Sequence, residues 1–198
     1  MPNGLRGTIV AVLVLLLVLA AFVAIFIYAG VYNVGADAPH SRFVFSALDE
    51  LRDRSVTSYA RNLAPPADLN SPKRIAAGAG LYDEMCTVCH SGPGLERSEL
   101  SQGLYPQAPG LARQSDVSLA EQFWIIKHGV KFSAMPAWGK THSDELIWDM
   151  VAFIQTLPKL SPEQYKAAVA SAPQEHEEMM KEMTGAHARP EVPHEHSD

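Results

Sequence analysis

A chain of 198 residues with 16 Lys and Arg against 22 Asp and Glu, net charge −6, lacks the basic surface that nucleic-acid binding requires. Its 47% apolar content is unevenly spread: hydrophobicity gathers in roughly the first 35 residues, acid and histidine in roughly the last 30. The length allows one ordinary domain with additions, or two very small ones.

From Gly7 to Ala36 there is no charged residue, and Thr8 to Tyr32 is nearly all Val, Leu, Ile, Ala and Phe. At about 1.5 Å per residue this run makes roughly 37 Å of helix, enough to cross a hydrocarbon layer about 30 Å thick with some tilt. A cleaved leader has an apolar core of only about 7–15 residues before a small-residue site. Small residues occur between Ala20 and Ala24, but the apolar run continues well beyond them. The expectation is an uncleaved transmembrane anchor over 7–32. Arg6 precedes it and Asp37 follows, so residues 1–6 are read as a short cytoplasmic N-terminus and the chain from about Asn33 as exported. Tyr28 and Tyr32 suit either an interfacial pair or ordinary lipid-facing positions.

Residues 33–70 read as a stalk or linker. Ser46 is a candidate cap for a helix through Ala47, Leu48 and Leu51 toward Val56 and Tyr59, with Glu50 and Arg54 at supporting i,i+4 spacing. Ala64-Pro65-Pro66 ends it and stiffens the approach to the next segment. His40 is read as a solvated loop histidine, with a ligand or quinone-site role as the sharper alternative. Arg42, Arg52, Arg54 and Arg61 form a solvated face, or one that meets anionic lipid or a partner.

Residues 71–160 form the domain that carries the chemistry. Ser71-Pro72 starts a helix, with a capping hydroxyl and proline at the first helical position. Ile75, Ala79, Tyr82 and Met85 share one face of it. Gly78, four residues before an aromatic, implies that another helix crosses closely. The helix leads into Cys86-Thr87-Val88-Cys89-His90. Two thiols separated by two residues, followed at once by an imidazole, read as a c-type haem attachment site. This spacing lets each thiol reach one porphyrin vinyl from one turn of chain, with the histidine placed to ligate the iron. The motif uses both of the chain's cysteines. A redox dithiol wants an alternating strand–helix setting, and a zinc knuckle wants a second ligand pair; neither is found.

A second helix begins at the capping box Ser118-Leu119-Ala120-Glu121 and ends near His128-Gly129, with Leu119, Phe123 and Ile126 on its apolar face. A third opens at Ser143-Asp144-Glu145. It repeats Leu146, Ile147, Met150, Val151, Ile154 and Leu157 with helical period before Pro158 stops it. No convincing alternating strand appears, so the expected fold is all-α. Between these helices Met135 lies in a loop punctuated by Pro136 and Gly139, off any helical apolar face, which weakens its reading as core filler. A thioether is a soft, neutral ligand that favours reduced iron and closes the sixth position. Competitors for that position are His128, His142, Met85 and Met150, the last two on helical faces.

These residues resemble the class I, mono-haem cytochromes c, in a membrane-anchored bacterial form. The resemblance covers roughly Ser71 to Leu160. It rests on the Gly78–Tyr82 helix, the CxxCH motif, Pro109-Gly110-Leu111, the Met135-Pro136-Ala137-Trp138 loop and the final helix. It implies a small helical domain around one covalent haem c, with thioethers at Cys86 and Cys89, His90 as proximal ligand and Met135 as distal ligand. It also implies that the Pro109 carbonyl orients the His90 ring and that Trp138 packs near a propionate edge. Haem c is attached outside the bacterial inner membrane, which agrees with the orientation read from the anchor. Ser91 departs from the glycine the family often has after the histidine, and the loop from Gly92 to Ala108 has no clear counterpart.

Residues 161–198 read as a short C-terminal helix from Ser161-Pro162-Glu163 through Tyr165 and Val169, then a disordered tail rich in His, Met and Glu. His176, Met179, Met180, Met183, His187, His194 and His196 fit loose copper binding, against the plainer reading of a solvated acidic tail. The function expected is a non-enzymatic, single-pass periplasmic electron carrier of the inner membrane. Its donor would be a quinol-oxidising complex or dehydrogenase, its acceptor an oxidase or reductase. The alternatives are a fixed electron-transfer subunit of a larger membrane oxidoreductase, and a haem- or copper-binding sensor or metal-handling protein.

Overall fold

The structure is a computed structural model that describes residues 3–113 and 116–173. The tail expectations at His176, Met179, Met180, Met183, His187, His194 and His196 lie outside the described residues. The described residues are helical, with no strand, and divide into two compact units, 1–39 and 40–198.

The first unit holds α1, Asn3–Tyr28, with no side chain from Gly4 to Tyr28 buried in the protein, and among the described residues it is the one helix long and apolar enough to cross a membrane. It ends four residues before the expected Tyr32. Gly30 takes φ +60° there, and its N–H donates to the Ile27 carbonyl, closing the last turn as glycine can without steric cost.

The second unit opens with α2, Arg42–Ala60. Its cap is Ser41, which accepts from the Val44 N–H, and not the expected Ser46. Phe43 and Phe45 stand in its first turn although both are exposed, so no buried apolar stripe marks the beginning of the helix. Arg54 pairs with Glu50 as the spacing predicts. The far end of α2 packs onto α6, Leu119–His128. Val56 and Ala60 are buried, Tyr59 stacks on Trp124 at 5.8 Å between ring centroids, and the Thr57 hydroxyl donates to Glu121 at 2.6 Å. Part of the stretch read as a stalk therefore joins the compact unit.

The core is the crossing of α3, Pro72–Met85, with α7, Asp144–Ile154. Gly78 makes the crossing possible: a Cβ there would lie 1.9 Å from the Asp149 carbonyl oxygen. Ala79, Leu81 and Tyr82 meet Ile147, Met150, Val151 and Phe153, all essentially buried. Arg74 ties the helices together at the rim, 2.7 Å from Asp149 and 3.0 Å from Asp68. Ser71, Ser118, Ser143 and Ser161 each cap the helix expected of them. The helix from Ser143 stops at Ile154, and Leu157 falls in a separate 3-10 turn, Leu157–Lys159. The last described helix, α8, Pro162–Ala170, is part of the core, because Tyr165 is 2% exposed and its hydroxyl donates to Asp83 at 2.7 Å.

Candidate functional site

The Cys86–His90 motif leaves α3 at its C-cap and makes one short helix, α4, Thr87–His90. Cys86 is buried and Cys89 half-buried, and the two are not joined by a disulfide. Burial pushes the Cys86 thiol up to about 12, which keeps it protonated. His90 is half-buried, and its Nδ1 lies 2.8 Å from the Pro109 carbonyl oxygen. A carbonyl only accepts, so Nδ1 carries the proton, and the lone pair of the neutral ring is left on Nε2. Burial lowers the affinity of this ring for a second proton, with the Pro109 bond opposing in part. The arrangement presents one neutral imidazole nitrogen as a donor beside two free thiols.

Three hydroxyls hold the backbone of this turn. Ser98 donates to the Val88 carbonyl, Ser101 to that of Cys89 at 2.8 Å, and Tyr82 to that of Ser91 at 2.6 Å. Carbonyls at the end of a short helix have no partners inside it, so outside donors fix where the turn points. Ser98 and Ser101 come from α5, Glu99–Gln102, and its cap, within the stretch from Gly92 to Ala108. A serine directly before Glu99 is a cap signal that would have found the helix, but nothing local points its hydroxyls at the haem motif.

Met135 lies half-buried in the loop between α6 and α7, packed against the core cluster. Gly129, at φ +66°, seats that loop: a Cβ there would sit 2.7 Å from the Met135 carbonyl oxygen and 2.8 Å from the Ala137 nitrogen. The Met135 carbonyl also accepts from Val130 at 3.2 Å, and its N–H donates to Ser133 Oγ at 3.2 Å. Trp138 opens a 3-10 turn, half-buried, with its ring edge-on to His142 at 5.4 Å.

Met150 is fully buried core and Met85 packs at its margin. His128 is exposed, tilted against Trp124 at 5.0 Å. His142 is 5% exposed, its Nδ1 2.9 Å from Thr141 Oγ1. His40 lies half-buried in its loop: its backbone N–H donates to the Tyr105 hydroxyl at 2.9 Å, and its ring meets Tyr105 edge-on at 5.2 Å. Among the described residues no group of three or more His, Cys, Asp or Glu side chains is placed to hold a metal ion.

The residues fit a haem c: two free thiols at the attachment spacing, an imidazole oriented through Nδ1, and half-buried apolar side chains at Leu111, Ala112, Met135 and Trp138. An all-helical domain of this size carrying that motif is a class I cytochrome c domain, a haem domain for electron transfer. The family model that residues 73–154 match is described as Cytochrome C oxidase, cbb3-type, subunit III. No curated protein and no solved structure matches the chain.

Proposed function

We propose that this protein is a membrane-anchored mono-haem cytochrome c, with its haem domain in the periplasm, passing single electrons between respiratory partners. Haem c, when attached, supplies one-electron exchange at iron. The chain's own residues attach, orient and enclose it. Cys86 and Cys89 would hold the group through thioethers, His90 would offer Nε2 to the iron, and Met135 would supply a second ligand, a sulfur. Pro109 fixes the imidazole, and Trp138 lines the haem edge. A ligand from each of His90 and Met135 would suit the group to electron exchange rather than to substrate binding. The observation that carries this reading is the His90–Pro109 hydrogen bond beside two unpaired thiols, which makes the imidazole a single-sided, neutral donor.

The test is the protein purified from native membranes. Under denaturing conditions its mass is expected to exceed that of the polypeptide by one haem, and Cys86→Ser with Cys89→Ser to abolish the increment. In the oxidised native protein, Met135→Leu is expected to remove the weak sulfur-to-iron absorption at the red end of the spectrum. A band that survives in Met135→Leu would refute the distal assignment.

A second reading is favoured by the family description: an electron-transfer subunit fixed in a membrane oxidase complex. In that case the donor and acceptor are neighbouring subunits and the anchor is an assembly element. The His/Met-rich tail after Pro173 remains a candidate for weak copper binding.

A further inference from the structure

His90 is held at two places, its ring and the backbone just before it. The ring Nδ1–H donates to the Pro109 carbonyl at 2.8 Å. One residue upstream, the Cys89 carbonyl accepts from the Ser101 hydroxyl at 2.8 Å, and Ser101 is 1% exposed. Water does not replace a donor at that depth, so the carbonyl depends on this hydroxyl for its partner.

Arg97 joins the two holds. Its Nη2–H donates to the Ser101 carbonyl at 2.7 Å, its Nη1–H to the Gln107 Oε1 at 2.9 Å, and its Nε–H reaches the Ser101 Oγ at 3.4 Å. Gln107 stands two residues before Pro109. The contacts close a ring: from the His90 imidazole to Pro109, along the chain to Gln107, across Arg97 to Ser101, and back through Cys89 to His90. A planar guanidinium with several fixed donors grips two segments at once, which a lysine ammonium on the same stem does not reproduce.

We infer that Arg97 and Ser101 are positioning residues for the His90 imidazole: they tie the turn that carries the ring to the loop whose Pro109 carbonyl orients it. This rests on the reading of His90 as haem ligand. Without the bridge, the loop from Leu104 to Pro109 moves independently of α4, and the Nδ1–H···O bond opens more often.

The experiment follows exchange of the His90 Nδ1 proton with solvent by NMR in the full-length holoprotein, labelled at histidine nitrogen. In Arg97→Met and in Ser101→Ala this proton is expected to exchange about tenfold faster than in wild type, the effect of losing one hydrogen bond from the supporting ring. Arg97→Lys is expected to behave like Arg97→Met, and amides of α3 and α7 to exchange at wild-type rates. Three results would overturn the inference: wild-type ring exchange in both variants, wild-type exchange in Arg97→Lys, or core amides that accelerate in step with the ring. The iron-induced shift of the His90 ring signals in oxidised wild type tests ligation separately. A ring without that shift sinks the ligand reading, while the exchange comparison still decides the bridge.

Discussion

At Ser91 the backbone takes φ 57° and ψ −168°, a region that a residue with a side chain enters at a cost of about 1–3 kcal/mol. The turn leaves α4 there because both of its polar groups are committed. The Ser91 N–H donates to the Thr87 carbonyl at 2.9 Å, and its carbonyl accepts from Tyr82 at 2.6 Å. Burial pushes the Tyr82 hydroxyl well above its ordinary range, so it stays a donor at any pH of interest. The glycine that resembling cytochromes often carry after the histidine thus has a physical reason, and this chain meets the same backbone demand with serine. Ser91→Gly removes the steric cost but adds about 0.4–1 kcal/mol of unfolded-state entropy. The expected net gain is about 1 kcal/mol, read as a higher denaturant midpoint with an unchanged slope. A midpoint at or below wild type would mean that the turn carries no strain.

Two contacts between elements depend on carboxylates of opposite behaviour. Glu121 joins α6 to α2, accepting from Thr57, which is the largest cause of its lowered pKa, and from the Ser118 N–H and hydroxyl. A carboxyl lowered by folding adds stability above its unfolded pKa and loses it as pH falls through the folded value. Below about pH 4.3 the α2–α6 contact is therefore expected to loosen, seen as faster amide exchange in the second half of α2. Glu121→Gln should abolish that pH dependence. An α2 that exchanges equally at pH 3.5 and pH 6 in wild type would count against the contact.

Asp149 has the other sign. Burial raises its pKa, with Arg74 opposing, and its charged form relies on that guanidinium at 2.7 Å. A group raised by folding contributes below its unfolded pKa and loses that contribution as pH rises through the folded value. Arg74→Met leaves the mostly buried carboxylate alone and should cost about 2–3 kcal/mol at pH 7, but clearly less at pH 4, where Asp149 is closer to neutral. Equal losses at both pH values would show that packing of the Arg74 stem, and not charge, holds the α3–α7 rim.

These elements also show what the sequence makes legible. Ser71, Ser118, Ser143 and Ser161 announce their helices because a cap is a contact within three residues, and Gly78 announces the crossing because only a missing side chain admits a backbone so close. The haem motif is legible because its chemistry is written in consecutive residues. The supports of the site are not. Ser101 to Cys89, Thr57 to Glu121 and Tyr165 to Asp83 join residues separated by 12, 64 and 82 positions. Hydroxyls of that kind look the same in sequence as any solvated serine, threonine or tyrosine. The start of α2 after its Ser41 cap is hard to read for a related reason, since Phe43 is 82% exposed and breaks the periodicity by which a buried face is recognised.

For the molecule as a whole, the apolar helix and the haem unit are separate compact bodies joined by the chain near Pro39 and His40. On the proposed reading, a membrane tether adds no contact to a redox partner; it raises the local concentration of the domain, into the millimolar range for short flexible connections. The carrier reading makes the tether a matter of rate alone. A protein lacking residues 1–39 is expected to keep the same haem spectrum yet to deliver electrons to membranes at least about tenfold more slowly at submicromolar concentration. Raising the concentration of the truncated protein should restore the rate. The subunit reading predicts otherwise. Full-length protein would leave detergent-solubilised membranes in a fixed ratio with oxidase haems, and no concentration of the truncated form would replace it. Recovery at high concentration would decide for the carrier, because encounter, not assembly, would then be what the anchor provides. Failure to recover, with the haem spectrum intact, would instead make α1 part of the machine and leave its membrane span a structural role in a complex.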